Sequence, residues 1–200
     1  KRQGRRVNDA LSRAYGYAAA RFRMRDIEVG VGDNGFYLAG EKIEEDKILK
    51  WVKAKDLRII LKEAIEKTDV LKRRFRHCAA RSLMILRSYR GREKSAGKQQ
   101  MASEFLYLAV KKISNEFPIL QEARREVMED LMDVNNAEKI LRGLEEGKVK
   151  FKIVRTPVVS PFGLGLHMKG RMDLIKIEDR AKFLKRMHDL HIKLINNKKD

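Results

Sequence analysis

The stretch GREKSAGKQQ, residues 91–100, is the part of this sequence that most invites a chemical reading. A leading glycine, small residues and the pair Gly97-Lys98 suggest a loop that wraps the phosphates of a nucleotide. Such a loop reads G-x-x-x-x-G-K-[ST] between a strand and a helix: its backbone N–H groups face the phosphates and its hydroxyl holds magnesium. Here five residues, not four, separate Gly91 from Gly97, and Gln99 stands where the hydroxyl belongs. The apolar run before it, CAARSLMILRSY, reads as a helix rather than a buried strand, and no acidic motif for the metal side follows. The stretch is not expected to hydrolyse a nucleotide.

Three other constellations invite catalytic readings and fail on spacing or neighbours. His188 and His191 stand three residues apart on a helical pattern, close enough to share a metal, but no cysteine or third histidine lies nearby. Glu126, Asp130 and Asp133 share a helix face suited to magnesium, yet Arg124 and Arg125 beside them favour internal ion pairs or a domain contact. His77 and Cys78 are adjacent on a helix, where consecutive side chains diverge, so they are no nucleophile and base. No catalytic residue and no metal ligand is assigned to this chain.

Charge points elsewhere. The 200 residues carry 46 Lys+Arg against 28 Asp+Glu, a formal net charge of +18. A charge of this size predicts attraction to polyanions. It is unevenly placed: between Lys72 and Lys98 stand ten basic residues and one acid, Glu93, which is +9 in 27 residues. With no acid within helical reach on that segment, the run repels itself unless an anion is present. A solvated face is the plainer explanation; nucleic-acid contact is the one the density favours. The single cysteine, Cys78, excludes an internal disulfide framework and fits a reducing, intracellular setting. No apolar run approaches the roughly 20 residues that span a bilayer, so no membrane partner is expected. The N-terminus has no signal-peptide core, and its opening on Lys1 is expected of a piece of a longer protein.

The elements that must position these residues are mostly helical. RRVNDALSRAYGYAAARF turns Val7, Leu11, Ala14, Ala18 and Phe22 to one face. DIEVGV and FYLAG, joined by Gly32-Asp33-Asn34-Gly35, read as a β-hairpin. The basic segment is a helix capped by Thr68 or Asp69, with Leu71, Phe75, Cys78, Ser82 and Ile85 inward. The next helix places Met101, Phe105, Leu108 and Ile113 inward; Pro118 opens another, and Asn135 with Glu138 resemble a capping pair ahead of a third that Gly147 closes. KVKFKIVR alternates Val149, Phe151 and Ile153 against lysines, which predicts a half-buried strand with a basic outer face. The predicted fold is α+β: predominantly helical, with a small sheet made of the N-terminal hairpin and a strand near 148–155. The chain is read as one accessory domain over 1–200, with a helix and hairpin over 1–40, a helical bundle over 41–146, and a strand, a Pro/Gly loop and a C-terminal helix over 147–200.

The order of several segments resembles a known family. GRRVNDALSRAYGY, VGVGDNGFYL, FRHCAARSLMILRSYRGREKSAGKQQ, FPILQEARREVMEDLMDV, GKVKFKIVRTPVVSPFGLGL and DLIKIEDRAKFLKRMH follow one another as in the C-terminal core region of the Lhr (large helicase-related) helicases of superfamily 2, in an archaeal form. The resemblance covers nearly the whole chain; the basic segment ending in GKQQ and TPVVSPFGLGL are its most specific parts. It implies that two RecA-like domains and a winged helix of the same parent precede this region and hold ATP and magnesium. It implies for this region a role in closing a channel around the single strand along which the enzyme moves 3′ to 5′. No cofactor is expected in the chain itself, and the parent is expected inside the cell, with the nucleoid.

The residues expected to contact nucleic acid are Arg73, Arg74, Arg76, Arg81, Arg87, Tyr89, Arg90, Arg92, Lys94, Lys98, Gln99 and Gln100. Guanidinium groups engage two phosphate oxygens at once, and the N–H groups of Gly97 and Lys98 open a helix where an anion is favoured. Stacking on bases is open to Trp51, Tyr89 and Phe162, although Trp51 fits half-core burial and Phe162 fits a loop anchor. DNA is the expected partner, single-stranded or forked, with RNA as the alternative. Two other readings stay open: a free-standing RNA or ribonucleoprotein factor, and a docking module whose basic face meets an acidic protein.

Overall fold

The computed structural model describes residues 3–23, 27–40, 43–150, 152–156, 158–160, 163–170 and 180–196. Helix α1 (Arg5–Arg23) runs through the core and buries Val7, Leu11, Ala14 and Ala18 as its periodicity predicts, while Phe22, expected on the same stripe, is 48% exposed. Strands β1 (Glu28–Val31) and β2 (Phe36–Ala39) pair antiparallel, Val31 opposite Phe36, and the Gly32 N–H donates to the Gly35 carbonyl at 2.8 Å to close the turn. The hairpin lies on α1 at Gly16, where an added Cβ would stand 2.7 Å from Val29 Cγ2, so only glycine allows the approach. Asn8 of α1 pins the turn by donating to the carbonyls of Gly32 and Asp33, at 2.9 and 3.1 Å.

Helices α2 (Glu45–Trp51), α3 (Leu57–Ile65) and α4 (Asp69–Arg81) follow, with a short 3₁₀ turn, Ala54–Asp56, before α3. Then come a two-residue hairpin, β3 (Ser88–Tyr89) and β4 (Arg92–Glu93), and the long α5 (Ala96–Ile113). Pro118 is the first residue of α6 (Pro118–Arg125), as its missing N–H allows. A π-helical turn, Glu126–Leu131, α7 (Val134–Glu145), α8 (Leu164–Gly170) and α9 (Arg180–Asn196) complete the described elements. The fold is predominantly helical α+β, as its periodicities indicate.

One acid at the end of α3 ties three helices together. Glu66 takes two hydrogen bonds from the buried Arg124 of α6, at 2.9 and 3.1 Å, and a third from Lys111 of α5 at 3.0 Å. The Glu66 carbonyl also accepts from the Tyr107 hydroxyl at 3.1 Å, and the Tyr107 ring meets Phe75 of α4 edge-on at 5.2 Å. Such an aromatic pair contributes about 0.5–1.5 kcal/mol beyond its buried area.

Four local expectations are corrected. The strand near 148–155 does not form among the described residues: the Val149 N–H returns to the Gly143 carbonyl at the end of α7, and Arg155 pairs with Glu45 at 3.0 Å. Alternation needs a neighbouring strand, and both described sheets are closed two-stranded hairpins. The basic helix ends at Arg81 because Leu83 takes the left-handed region, φ 59°; Ile85 still reaches the core, while Ser82 is exposed. Helix α5 turns Ser103, Tyr107 and Val110 inward and leaves Met101, Phe105, Leu108 and Ile113 exposed, Phe105 at 69%. Asp133, not Asn135, caps α7, accepting from the Asn136 N–H at 3.1 Å. Phe151 and Phe162 lie outside the described residues.

Burial pushes the Glu66 carboxyl up, but the bonds from Arg124 and Lys111 outweigh it and hold the group below its ordinary value. The folded protein thus binds fewer protons here than the unfolded chain, so the stability this group gives is present above about pH 4.5 and lost as pH falls through the depressed value. Urea unfolding from pH 7 to pH 3 is expected to show Glu66→Gln less stable than the parent by about 3 kcal/mol at pH 7, with the gap closing under acid.

Candidate nucleic-acid interface

Helix α4 begins where the Thr68 hydroxyl accepts from the Leu71 N–H, and it buries Leu71, Phe75, Cys78 and Ala79. That leaves its cations on the outer arc. Three of them have acidic partners that the local sequence does not reveal, because the acids arrive from other elements. Lys72 meets Glu104 of α5 at 3.0 Å, and Arg74 and Arg81 converge on Glu126 of the π-helical turn. The expectation of a basic run without partners is therefore corrected for Lys72, Arg74 and Arg81.

Glu126 is 3% exposed. Its Oε1 accepts from Arg81, while its Oε2 is buried without a hydrogen bond and has the Arg74 guanidinium 3.5 Å away, within ion-pair reach. Arg81 also donates to Cys78 Sγ at 3.3 Å. Burial, then the Glu126 charge, push the Cys78 thiol up, which keeps it protonated and a poor nucleophile.

The remaining cations fall in two neighbouring places. Between α4 and α5 lies a cleft of about 450 Å³ whose lining includes Arg73, Arg76, Gln100 and Tyr107. Beyond α4 the chain forms the β3–β4 hairpin. Arg90 and Gly91 at its tip both have positive φ, 50° and 75°, as a two-residue type I′ turn requires. Tyr89 pairs with Arg92 across the ladder, and the Lys94 N–H closes the base on the Arg87 carbonyl at 2.8 Å. GREKSAGKQQ is thus half hairpin, half helix start: Ser95 caps α5 by accepting from the Lys98 N–H. The Lys98 N–H is therefore already engaged, and the Gln99 side chain donates to the Lys94 carbonyl at 2.8 Å. Arg73, Arg76, Arg87, Arg92, Lys94 and Lys98 have no ion pair among the described residues. The Tyr89 side chain lies outside the described residues.

His77 registers this field. Desolvation, then the charges of Arg76, Arg74, Arg87 and Arg81, hold its imidazole below the ordinary value. Arg87 at the hairpin base thus acts on His77 together with the α4 arginines. Elsewhere, no group of three or more metal-ligating side chains occurs among the described residues; His191 instead contacts the Met187 carbonyl at 2.8 Å. No described helix is long and apolar enough to cross a membrane.

Residues 2–163 match the DEAD/H associated family. The chain belongs to that family. It is 48% identical over 186 residues to the ATP-dependent helicase Lhr-Core of Methanothermobacter thermautotrophicus, covering 92% of this chain and 22% of the relative. It is 41% identical over 188 residues to Lhr-Core protein 2 of Thermococcus barophilus, again over 92% of this chain and 22% of the relative. The structure of Mycobacterium smegmatis helicase Lhr bound to ssDNA and AMP-PNP has the same fold over 81% of this chain and 21% of that one, with a TM-score of 0.70 and 24% identity. The chain spans about a fifth of the length of the curated relatives it matches. The likeness to the Lhr core read from the ordered segments is thus borne out for this DEAD/H associated domain.

Sequence reasoning missed Glu104 and Glu126 as partners of α4, since hydropathy and spacing carry no signal for a contact between helices far apart in the chain. It also missed the hairpin, for which Arg90-Gly91 between Tyr89 and Arg92 was the available sign. Replacing Glu126 by alanine leaves two guanidinium groups facing a vacated buried site. It is expected to cost about 3 kcal/mol, measurable as a lowered urea midpoint, whereas Arg73→Gln on the open arc is expected to leave the midpoint within about 0.5 kcal/mol.

Proposed function

We propose that this DEAD/H associated domain grips the single strand in an ATP-dependent 3′–5′ DNA helicase of the Lhr type. The observation that carries the reading is the division of the basic segment. Arg74 and Arg81 are spent on Glu126, while Arg73, Arg76, Arg87, Arg92, Lys94 and Lys98 have no acid to hold among the described residues. Cations held unpaired on a helix arc and an exposed hairpin repel one another, and a phosphate backbone relieves that repulsion by displacing condensed counterions. Arg90 and Gln100 add to the same grip, Arg90 from the hairpin tip and Gln100 from the cleft.

ATP and magnesium belong in this reading to RecA-like domains of the parent chain, not to this domain. The relatives named ATP-dependent helicases support that assignment, as does the presence of single-stranded DNA and AMP-PNP in the protein of like fold. RNA is the second polyanion this surface accepts, and the comparison of the two belongs in the same experiment.

Fluorescence anisotropy on labelled single-stranded DNA, duplex DNA and RNA at several salt concentrations tests the reading. If the six unpaired cations each meet a phosphate, log K is expected to fall with log salt with a slope of about −4. Arg73→Gln/Arg76→Gln is expected to make that slope shallower by about 1.4. Unchanged affinity and slope in the double variant and in an Arg90, Arg92 and Lys98 charge reversal would remove the basis of the proposal. The pH dependence has a definite sign. His77 is neutral at pH 7 and a bound phosphate favours its charged form, so affinity rises as pH falls from 7 to 5.5. The rise is expected to disappear in His77→Ala.

A further inference from the structure

A second cleft of about 450 Å³ lies on other elements, lined by the end of α1, the end of α2, the 3₁₀ turn and the first turns of α3. Three kinds of group line it. The apolar part is the half-buried Trp51 with Ile59, which is 63% exposed, and Ile60. The indole is fixed from the side by Phe22, edge-on at 5.8 Å. The polar wall is a preformed chain: the Tyr17 hydroxyl donates to the Glu63 carboxylate and accepts from Arg21 at 3.3 Å, and Arg21 stands 3.7 Å from Glu63. The rim is mainly cationic: Lys50, Lys53 and Lys55 are exposed, within one to four residues of Trp51, and have no ion pair among the described residues, while the half-buried Asp56 is the one acid beside them on the rim.

The fold explains the wall, which ties α1 to α3, and the Phe22 contact. It does not explain three unpaired lysines set around an exposed isoleucine and a held indole. An acidic protein would satisfy the lysines but has no need of the aromatic surface. A membrane surface would want apolar groups that project outward, whereas these line a recess. A nucleotide unit of a single strand uses both: its base has a face that stacks on an indole whatever the sequence, and its flanking phosphates meet the ammonium groups. Cleft volume is also in the range of sites that enclose a small organic group.

We infer that the Trp51 cleft is a second single-strand subsite, separate from the α4–hairpin surface. In it Trp51 stacks on a base, and Lys50, Lys53 and Lys55 hold the adjoining phosphates. The inference rests on the reading that this domain binds single strands, and adds a place where it holds one base directly.

Trp51 is the only tryptophan in the chain, so its emission reports this cleft alone. The full chain is titrated with an end-labelled oligo-dT of about twenty nucleotides, with label anisotropy and tryptophan emission followed together. Saturable quenching that tracks the anisotropy is expected. Lys50→Gln/Lys53→Gln/Lys55→Gln changes only exposed side chains and is expected to abolish the quench while binding persists, weakened about tenfold. Trp51→Ala is expected to weaken binding about fivefold or more, the equivalent of at least one stacked base. Poly-glutamate, a polyanion without bases, is expected to compete for binding but not to quench. Arg73→Gln/Arg76→Gln/Arg87→Gln is expected to shift the quench to higher DNA concentration without removing it. Binding by anisotropy with no quench overturns the Trp51 subsite and leaves the strand-gripping reading standing. So does a quench unchanged in the lysine variant, or one given equally by poly-glutamate. No anisotropy change at low salt overturns both.

Discussion

The architecture around the basic helix depends on two carboxylates that reach it and its neighbours from distant parts of the chain. Glu126 lies at the foot of α4 and takes Arg74 and Arg81 together; Glu66 gathers Arg124 and Lys111 where α3, α5 and α6 meet. In a chain of net charge +18 self-repulsion opposes compaction, and neutralisation at these seams offsets it. An ionised carboxylate taken out of water is costly unless cations and hydrogen bonds surround it. Here the buried Glu126 and the half-buried Glu66 each meet two cations. Glu126 is the first residue of the π-helical turn that follows α6.

Cations are thereby sorted by task. Those that face a seam are consumed by it. Those on the open arc of α4 and on the hairpin are left without an acid, and the lowered basicity of His77 comes first from desolvation and then from arginines of both groups. The sorting is set by geometry rather than residue type, since Arg73 and Arg74 are neighbours in sequence and have opposite fates.

The elements with one apolar face were legible. Val7, Leu11, Ala14 and Ala18 of α1 lie where their spacing puts them, and the Gly32–Gly35 turn forms because its residues leave little else open. Legibility failed where a helix is apolar around much of its circumference. On α5 the sequence offers two stripes; Tyr107 decides between them, because its ring meets Phe75 and its hydroxyl meets the Glu66 carbonyl. Neither contact is visible from residues 96–113 alone. The alternation in KVKFKIVR failed for a related reason: a period of two describes one edge, and a ladder needs a second. In the candidate site, the types and clustering of the cations were legible, while their acidic partners and the Trp51 recess were products of tertiary approach.

The β3–β4 hairpin is built entirely from residues within six positions of one another, and its turn is specified by two residues of its own, Arg90 and Gly91. Its described side chains at Ser88, Arg90, Arg92 and Glu93 are all exposed. An element so local neither waits for the core to form nor contributes much to it. The hairpin, though not the core-anchored Ile85 before it, can therefore gain or lose residues and charges across descendants of this chain with little effect on domain stability. The acids at the helix seams have no such latitude. Selection is free to vary the arm on a scaffold it must keep.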